Sequence, residues 1–165
     1  PPCWENIVPG LTDRQEAEQV LVNIPEIGKV DVVDVIPYGP ILRWNHGNII
    51  FDDNNVVQEI ELKVAFLNLT LEELVNIYGF PKHVVFREWS GGTDISVDLL
   101  YPELGLVFGL FLDASNQVPD PEAVILNPSD EIWHIYFYDT SMEYYYSIIQ
   151  QPQRQYDWKG YATYP

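Results

Sequence analysis

The chain has 165 residues, enough to bury roughly two thirds of the surface its unfolded form exposes, in one good core or two small fused ones. Its 25 acidic residues against 8 basic ones give a formal charge of −17, which repels nucleic-acid backbones and anionic membrane surfaces, and no apolar run is long enough to span a bilayer. Hydrophobic residues at 47% argue against disorder, while 11 Tyr and 5 Trp suit half-exposed sheet faces or contact sites, where a wide apolar ring keeps a wet polar tip.

The chain opens on Pro1-Pro2-Cys3 with neither a methionine nor a basic-then-apolar leader, as expected of a processed or trimmed form. A single cysteine cannot form an internal disulfide, so Cys3 is a candidate for lipid attachment or an intermolecular disulfide. Pro2 fits lipoprotein processing poorly, because a small residue normally precedes the modified cysteine. A repeated unit then begins. Gly10-Leu11-Thr12-Asp13-Arg14-Gln15-Glu16 places Thr12 three residues before Gln15, the spacing of a capping box. Ala17, Val20 and Leu21 line one face of the short helix expected behind it, which ends near Asn23-Ile24-Pro25. From there the hydrophobic period drops to two. Strands are expected over 41–44 and 48–52 around the turn Asn45-His46-Gly47, and over 56–64 after Asp53-Asn54-Asn55. In the last of these Ile60, Leu62 and Val64 take one face, and Glu59, Glu61 and Lys63 the wet one.

The second unit repeats the signal at Thr70 and Glu73, with Leu69 and Leu74 spaced as a hydrophobic staple. Leu71, Leu74, Val75 and Tyr78 form one helical face, Gly79 supplies a left-handed stop, and Pro81 prevents continuation. Strands are expected over 82–88, 94–100, 106–112 and 132–138, with turns at Ser90-Gly91-Gly92 and 102–105 and a polar loop over 113–122. Thr140 with Glu143 is a third capping box before a short helix over 141–149. The tail, 150–165, is rich in Gln, Tyr and Pro, and its Tyr156, Trp158, Tyr161 and Tyr164 are expected to pack back on the body. These readings predict an α+β fold: two tandem helix-plus-antiparallel-meander units, over 4–65 and 66–139, forming one extended sheet with helices on one side, and a C-terminal helix and aromatic tail over 140–165.

The segments Ile7-Val8-Pro9-Gly10-Leu11-Thr12 and Tyr78-Gly79-Phe80-Pro81, with the repeated cap, helix, stop and meander, resemble small bacterial envelope lipoproteins. They are similar to the BamE-like outer-membrane assembly lipoproteins and to the tandem domains of β-lactamase inhibitory proteins. The whole pattern, from Cys3-Trp4-Glu5-Asn6-Ile7 to Trp158-Lys159-Gly160-Tyr161, looks closest to uncharacterised secreted bacterial lipoproteins. The resemblance implies a helix-plus-sheet binding scaffold in the cell envelope, extracytoplasmic or at the cell surface. The inhibitory proteins staple each half with a disulfide, and one cysteine cannot do so.

No residue pattern supplies catalysis. Hydrolysis needs a nucleophile, a base and an orienting group in mutual reach. His46 falls in a turn and His83 and His134 fall in strands beside apolar residues. No Gly-x-Ser-x-Gly, His-Glu-x-x-His, paired Cys-x-x-Cys, Walker or dinucleotide glycine motif occurs. Asp52-Asp53-Asn54-Asn55 and 113–120 offer oxygen ligands without the spacing of a calcium loop, and Asp and Asn are ordinary turn formers. No catalytic residue, metal site or cofactor is therefore assigned. The leading expectation is a non-enzymatic envelope protein that binds another protein or assembles into a larger complex. Nucleic acid is excluded, and a membrane is met only through an N-terminal lipid anchor. Trp44, Trp89 and Trp133 are the candidate contact residues. The competing expectation is a hydrolase or small-ligand carrier with a site near His46.

Overall fold

A computed structural model describes residues 2–35, 39–88, 94–113, 124–148 and 154–164. Among these, the helices are α1 (Arg14–Val22), α2 (Leu71–Tyr78) and α3 (Glu143–Ile148). The strands are β1 (Asp31–Val35), β2 (Gly39–Trp44), β3 (Gly47–Phe51), β4 (Val57–Lys63), β5 (His83–Glu88), β6 (Asp94–Tyr101) and β7 (Leu106–Asp113). They are followed by β8 (Val124–Ile125), β9 (His134–Phe137), β10 (Arg154–Asp157) and β11 (Thr163–Tyr164).

The expected fold class is corrected by this inventory. Among the described residues the protein is mostly antiparallel sheet, with a nine-stranded sheet in the order β1-β2-β3-β4-β9-β7-β6-β5-β10 and a two-stranded β11-β8 pair, and the three α-helices there are short. Helices of nine, eight and six residues cannot cover a sheet of that width. The reason lies in strands that carry no strong local signal. The acidic Asp31–Val35, the polar Arg154–Asp157 and the two-residue β8 and β11 are held by their neighbours rather than by their own pattern. The chain divides into two compact units. One comprises 1–63, 102–106 and 136–150, and the other 64–101, 107–135 and 151–165.

In the first unit, the start of α1 is decided by two adjacent residues that can both cap. Thr12 is turned back, and its hydroxyl accepts from the Val8 amide at 2.8 Å. Asp13 takes the cap position instead, accepting from the Glu16 amide at 2.9 Å while the Glu16 carboxylate accepts from the Asp13 amide. The expected Thr12–Gln15 box is therefore displaced by one residue. Gly10 donates to the Val57 carbonyl and the Val57 amide to that of Thr12, which clips the pre-helix turn to the start of β4. Behind it, Ala17 and Leu21 of α1 meet Leu42, Trp44, Ile49, Phe51, Val57 and Ile60 in the core. The Trp4 and Trp44 rings stack with centroids 5.4 Å apart and planes 6° from parallel.

The opposite face of β4 departs from its expected wetness. Glu61 is half-buried and accepts from the Asn48 side-chain amide across the strands, while Glu59 is buried and accepts from the Tyr138 hydroxyl at 2.8 Å. A carboxylate removed from water needs such a donor.

In the second unit, Thr70 caps α2 as expected. Its hydroxyl accepts from the Glu73 amide at 3.3 Å, and the Glu73 carboxylate accepts from the Thr70 amide at 2.9 Å. Leu71 and Leu74 are fully buried beneath it. Strands β6 and β7 are buried along nearly their whole length; β7 accordingly reads as a continuous apolar run, whereas β6 alternates and buries the polar Ser96 and Asp98. The register pairs Arg87 with Ser96 and Val85 with Asp98, setting Arg87, Ser96 and Asp98 on one face. Phe86, Val97 and Tyr101 lie on the other. Asp98 is buried, and its two oxygens stand 2.8 and 2.7 Å from one guanidinium nitrogen of Arg87. The tail returns as β10 on β5, with Tyr156 opposite Val84, and Phe86 gathers the Tyr156 and Tyr164 rings at 5.9 and 5.4 Å.

Candidate functional site: an exposed aromatic row

Within the second unit, the C-terminal end of α2 and the returning tail put apolar rings in water side by side. Gly79, at φ +80°, ends the helix where a side chain would be strained, and turns the chain so that Phe80 leaves the surface. Ile77 and Phe80 are 66% and 71% exposed, and Tyr78 and Tyr161 are 43% and 39% exposed. The Trp158 ring joins them, 6.3 Å from Phe80 in a near-parallel stack and 5.9 Å from Tyr161 edge to face.

Rigid anchoring distinguishes this row from loose surface rings. Tyr78 rests on Phe108 and Tyr101 at 5.2 and 6.2 Å. The buried Tyr101 donates its hydroxyl to the Gly79 carbonyl at 2.9 Å, pinning the helix end from below. The Trp158 amide donates to the Lys82 carbonyl at 3.2 Å, and beyond it the Leu126 amide donates to Ala162, tying down the segment that carries Tyr161. Burial pushes the Tyr101 phenol well above its ordinary range, with smaller contributions from Tyr161 and Tyr78. Tyr161 is also raised, first by desolvation and then by the Glu72 carboxylate. Partly exposed aromatic side chains of this size together present on the order of 300 Å² of apolar surface, the size of the largest apolar patch on an ordinary domain, which is often a functional one.

The residues singled out from sequence are distributed differently. Trp44 is only 6% exposed and belongs to the core of the first unit, because it shares the inward face of β2 with Leu42. Trp89 lies outside the described residues. Trp133 is 42% exposed and leans edge to face on Phe111 at 5.9 Å. Its backbone is fixed by the Val64 amide and the Gly109 carbonyl at 2.7 and 2.9 Å. Cys3 is exposed and free. His46 is exposed in the β2–β3 turn, where its carbonyl accepts from Lys63. His83 pairs with the exposed Asp157 at 3.0 Å, and the His134 ring stands 5.6 Å from Phe111.

A cleft of about 490 Å³ in the first unit is lined by Asp52, Gln58, Tyr138, Asp139, Glu143 and Tyr144, among others. Two of its carboxylates already serve the backbone. Asp52 accepts from the Asn54 and Val56 amides, and Asp139 from those of Ser141 and Met142. At the expected Thr140–Glu143 cap, the Glu143 amide donates to the Ser141 hydroxyl. The turn at Asp52-Asp53-Asn54-Asn55 is thus accounted for by its own hydrogen bonds. Among the described residues no group of three or more His, Cys, Asp or Glu stands together as a metal site would require.

The row was invisible to sequence reasoning as a site, because 77–80 and 158–161 meet only through the pairing of β10 with β5. Two separate signals did point at its parts: aromatic residues bracketing a helix stop, and aromatics crowded into a polar tail. Comparison with family models, with curated proteins and with solved structures finds no match to this chain.

Proposed function

We propose that this chain is a non-enzymatic protein of the cell envelope or cell surface, binding another protein or serving as a subunit of an envelope assembly. The row formed by Ile77, Tyr78, Phe80, Trp158 and Tyr161 is its contact surface. The observation that carries this reading is the combination of exposure and anchoring: rings held rigidly in water give up little conformational entropy on binding. Aromatic side chains are the residues most often found as energetic anchors at protein interfaces. The charge of −17 supports it by disfavouring nucleic acid and anionic lipid as partners. The resemblance to envelope lipoproteins supports the compartment, with Cys3 as the residue to which a lipid would be attached, and Trp133 is kept as a secondary contact candidate.

Alanine at Phe80 or Trp158 tests this reading. Each truncation is expected to weaken a native partner by about 2 kcal/mol, roughly 30-fold, while far-UV dichroism and the thermal midpoint stay close to wild type. A purified monomer that turns over an ester, glycoside or peptide library, and loses that activity on His46→Ala, would overturn it in favour of an enzyme.

A further inference from the structure

We infer that the segment seated on this row is cationic, a stretch of partner protein presenting lysine or arginine side chains to Phe80, Trp158 and Tyr161; the inference rests on the protein-binding reading above. Four features of the second unit argue for it. The aromatic faces are the negative part of the ring quadrupole, and a desolvating ammonium or guanidinium is drawn to them. The tail already uses this geometry once, with the Lys159 ammonium 5.8 Å from the centre of the Tyr156 ring. The row also sits at the C-terminal end of α2, where the helix dipole is negative, and the last turn of α2 carries no basic residue to offset it. Carboxylates adjoin the rings. Glu72 acts on Tyr161, and Asp157 precedes Trp158 in the chain with its carboxylate largely in water. The opposing charges are Lys82, whose carbonyl holds the Trp158 amide, Lys159 and the imidazole of His83. Beside the row these cations balance the two carboxylates, so the surplus of negative charge is that of the whole chain, −17, whose long-range field concentrates cations at its surface. The exposed Ile77 and Phe80 complete the match, since lysine and arginine place three or four methylenes behind the charge and these need an apolar floor.

The test compares three synthetic peptides of one length by calorimetry: a lysine–leucine peptide, the same peptide with its lysines acetylated, and a glutamate–leucine version. Each is titrated into the wild-type protein and into Phe80→Ala and Tyr161→Ala. The lysine peptide is expected to bind about tenfold tighter than its acetylated form, to weaken as salt is raised, and to lose about tenfold in Phe80→Ala. Phe80→Ala leaves the net charge unchanged, so undiminished binding to that variant would show that bulk charge and not the row holds the peptide, and would overturn the inference. Equal or tighter binding of the acetylated peptide, lost in Phe80→Ala and indifferent to salt, would also overturn it while leaving the row a protein contact site. Absence of binding by all three peptides overturns it as well. Whether the protein-binding reading falls with it is then read from the same two variants against the native partner.

Discussion

Removing the Thr70 hydroxyl perturbs the one helix start that sequence and structure assign identically. Thr70→Ala deletes both bonds of the hydroxyl, the one it accepts from the Glu73 amide and the one it donates to the Glu73 carboxylate at 3.0 Å, but leaves the bond from the Thr70 amide to that carboxylate at 2.9 Å. A threonine cap is worth about 1 kcal/mol within a spread of roughly 0.5–2. Of the two lost bonds the amide bond is long at 3.3 Å and the carboxylate bond is exposed to water, which argues for the lower half of that range. Against this, α2 is only eight residues long and holds the fully buried Leu71 and Leu74, so fraying its first turn loosens core contacts. The two effects together give a loss of about 1 kcal/mol, or roughly 2–4 °C in midpoint for a chain of this size. Equilibrium urea unfolding measures it as a lower midpoint at unchanged slope. The box also has a pH signature. Glu73 is held below its ordinary value of 4.5 by the bonds from the Thr70 amide and hydroxyl. A depressed carboxylate contributes stability above its unfolded pKa and loses it as pH falls through the folded one. The Thr70→Ala deficit should therefore shrink below pH 4.5, where wild type loses part of the same interaction. A deficit within error at pH 7, or one that grows in acid, would refute the assignment of Thr70 as cap.

Other expectations follow from the same structure. Glu16→Ala should destabilise and Gln15→Ala should not, since α1 is capped by Asp13 with Glu16; urea midpoints of the two variants decide between the frames. Gly47→Ala should cost about 1–3 kcal/mol, because a methyl there meets the Glu61 carbonyl and lies 2.6 Å from the Trp44 ring, and thermal unfolding would register it. Above pH 10 stability should fall: Tyr101, Tyr161 and Tyr164 all have raised phenol pKa values, so the unfolded chain releases those protons first. Absorbance at alkaline pH should then show the buried Tyr101 and Tyr164 phenols ionising together with unfolding, and smooth titration of both in a folded protein would contradict their burial.

How much of this was legible in the sequence depends on whether a feature was encoded locally. The second helix was readable because three independent signals agreed: the Thr70–Glu73 spacing, the apolar face of Leu71 and Leu74, and the Gly79-x-Pro81 stop. The first was displaced by one residue because Thr12 and Asp13 are both good caps, and the tie was broken by the Val8 amide, a contact that spacing cannot show. Strand β1 reads Asp-Val-Val-Asp-Val, in which only Val33 and Val35 are half-buried and Val32 is exposed, so no clear alternation marks it, and among the described residues its partner strand is β2. Strands β8 and β11 have two residues each and exist through each other. The candidate site shows the same limit. Trp44 could have been assigned to the core from its period with Leu42, whereas the row needed the long-range register of β10 on β5.

The most direct test of the central claim is the affinity of a native partner, captured from source cells with the wild-type protein, for Phe80→Ala, Trp158→Ala and Trp133→Ala, with thermal midpoints taken alongside. The account predicts losses of roughly 30-fold at Phe80 and Trp158 with midpoints near wild type, and a smaller loss at Trp133. Wild-type affinity in both Phe80→Ala and Trp158→Ala, on intact folds, would contradict it.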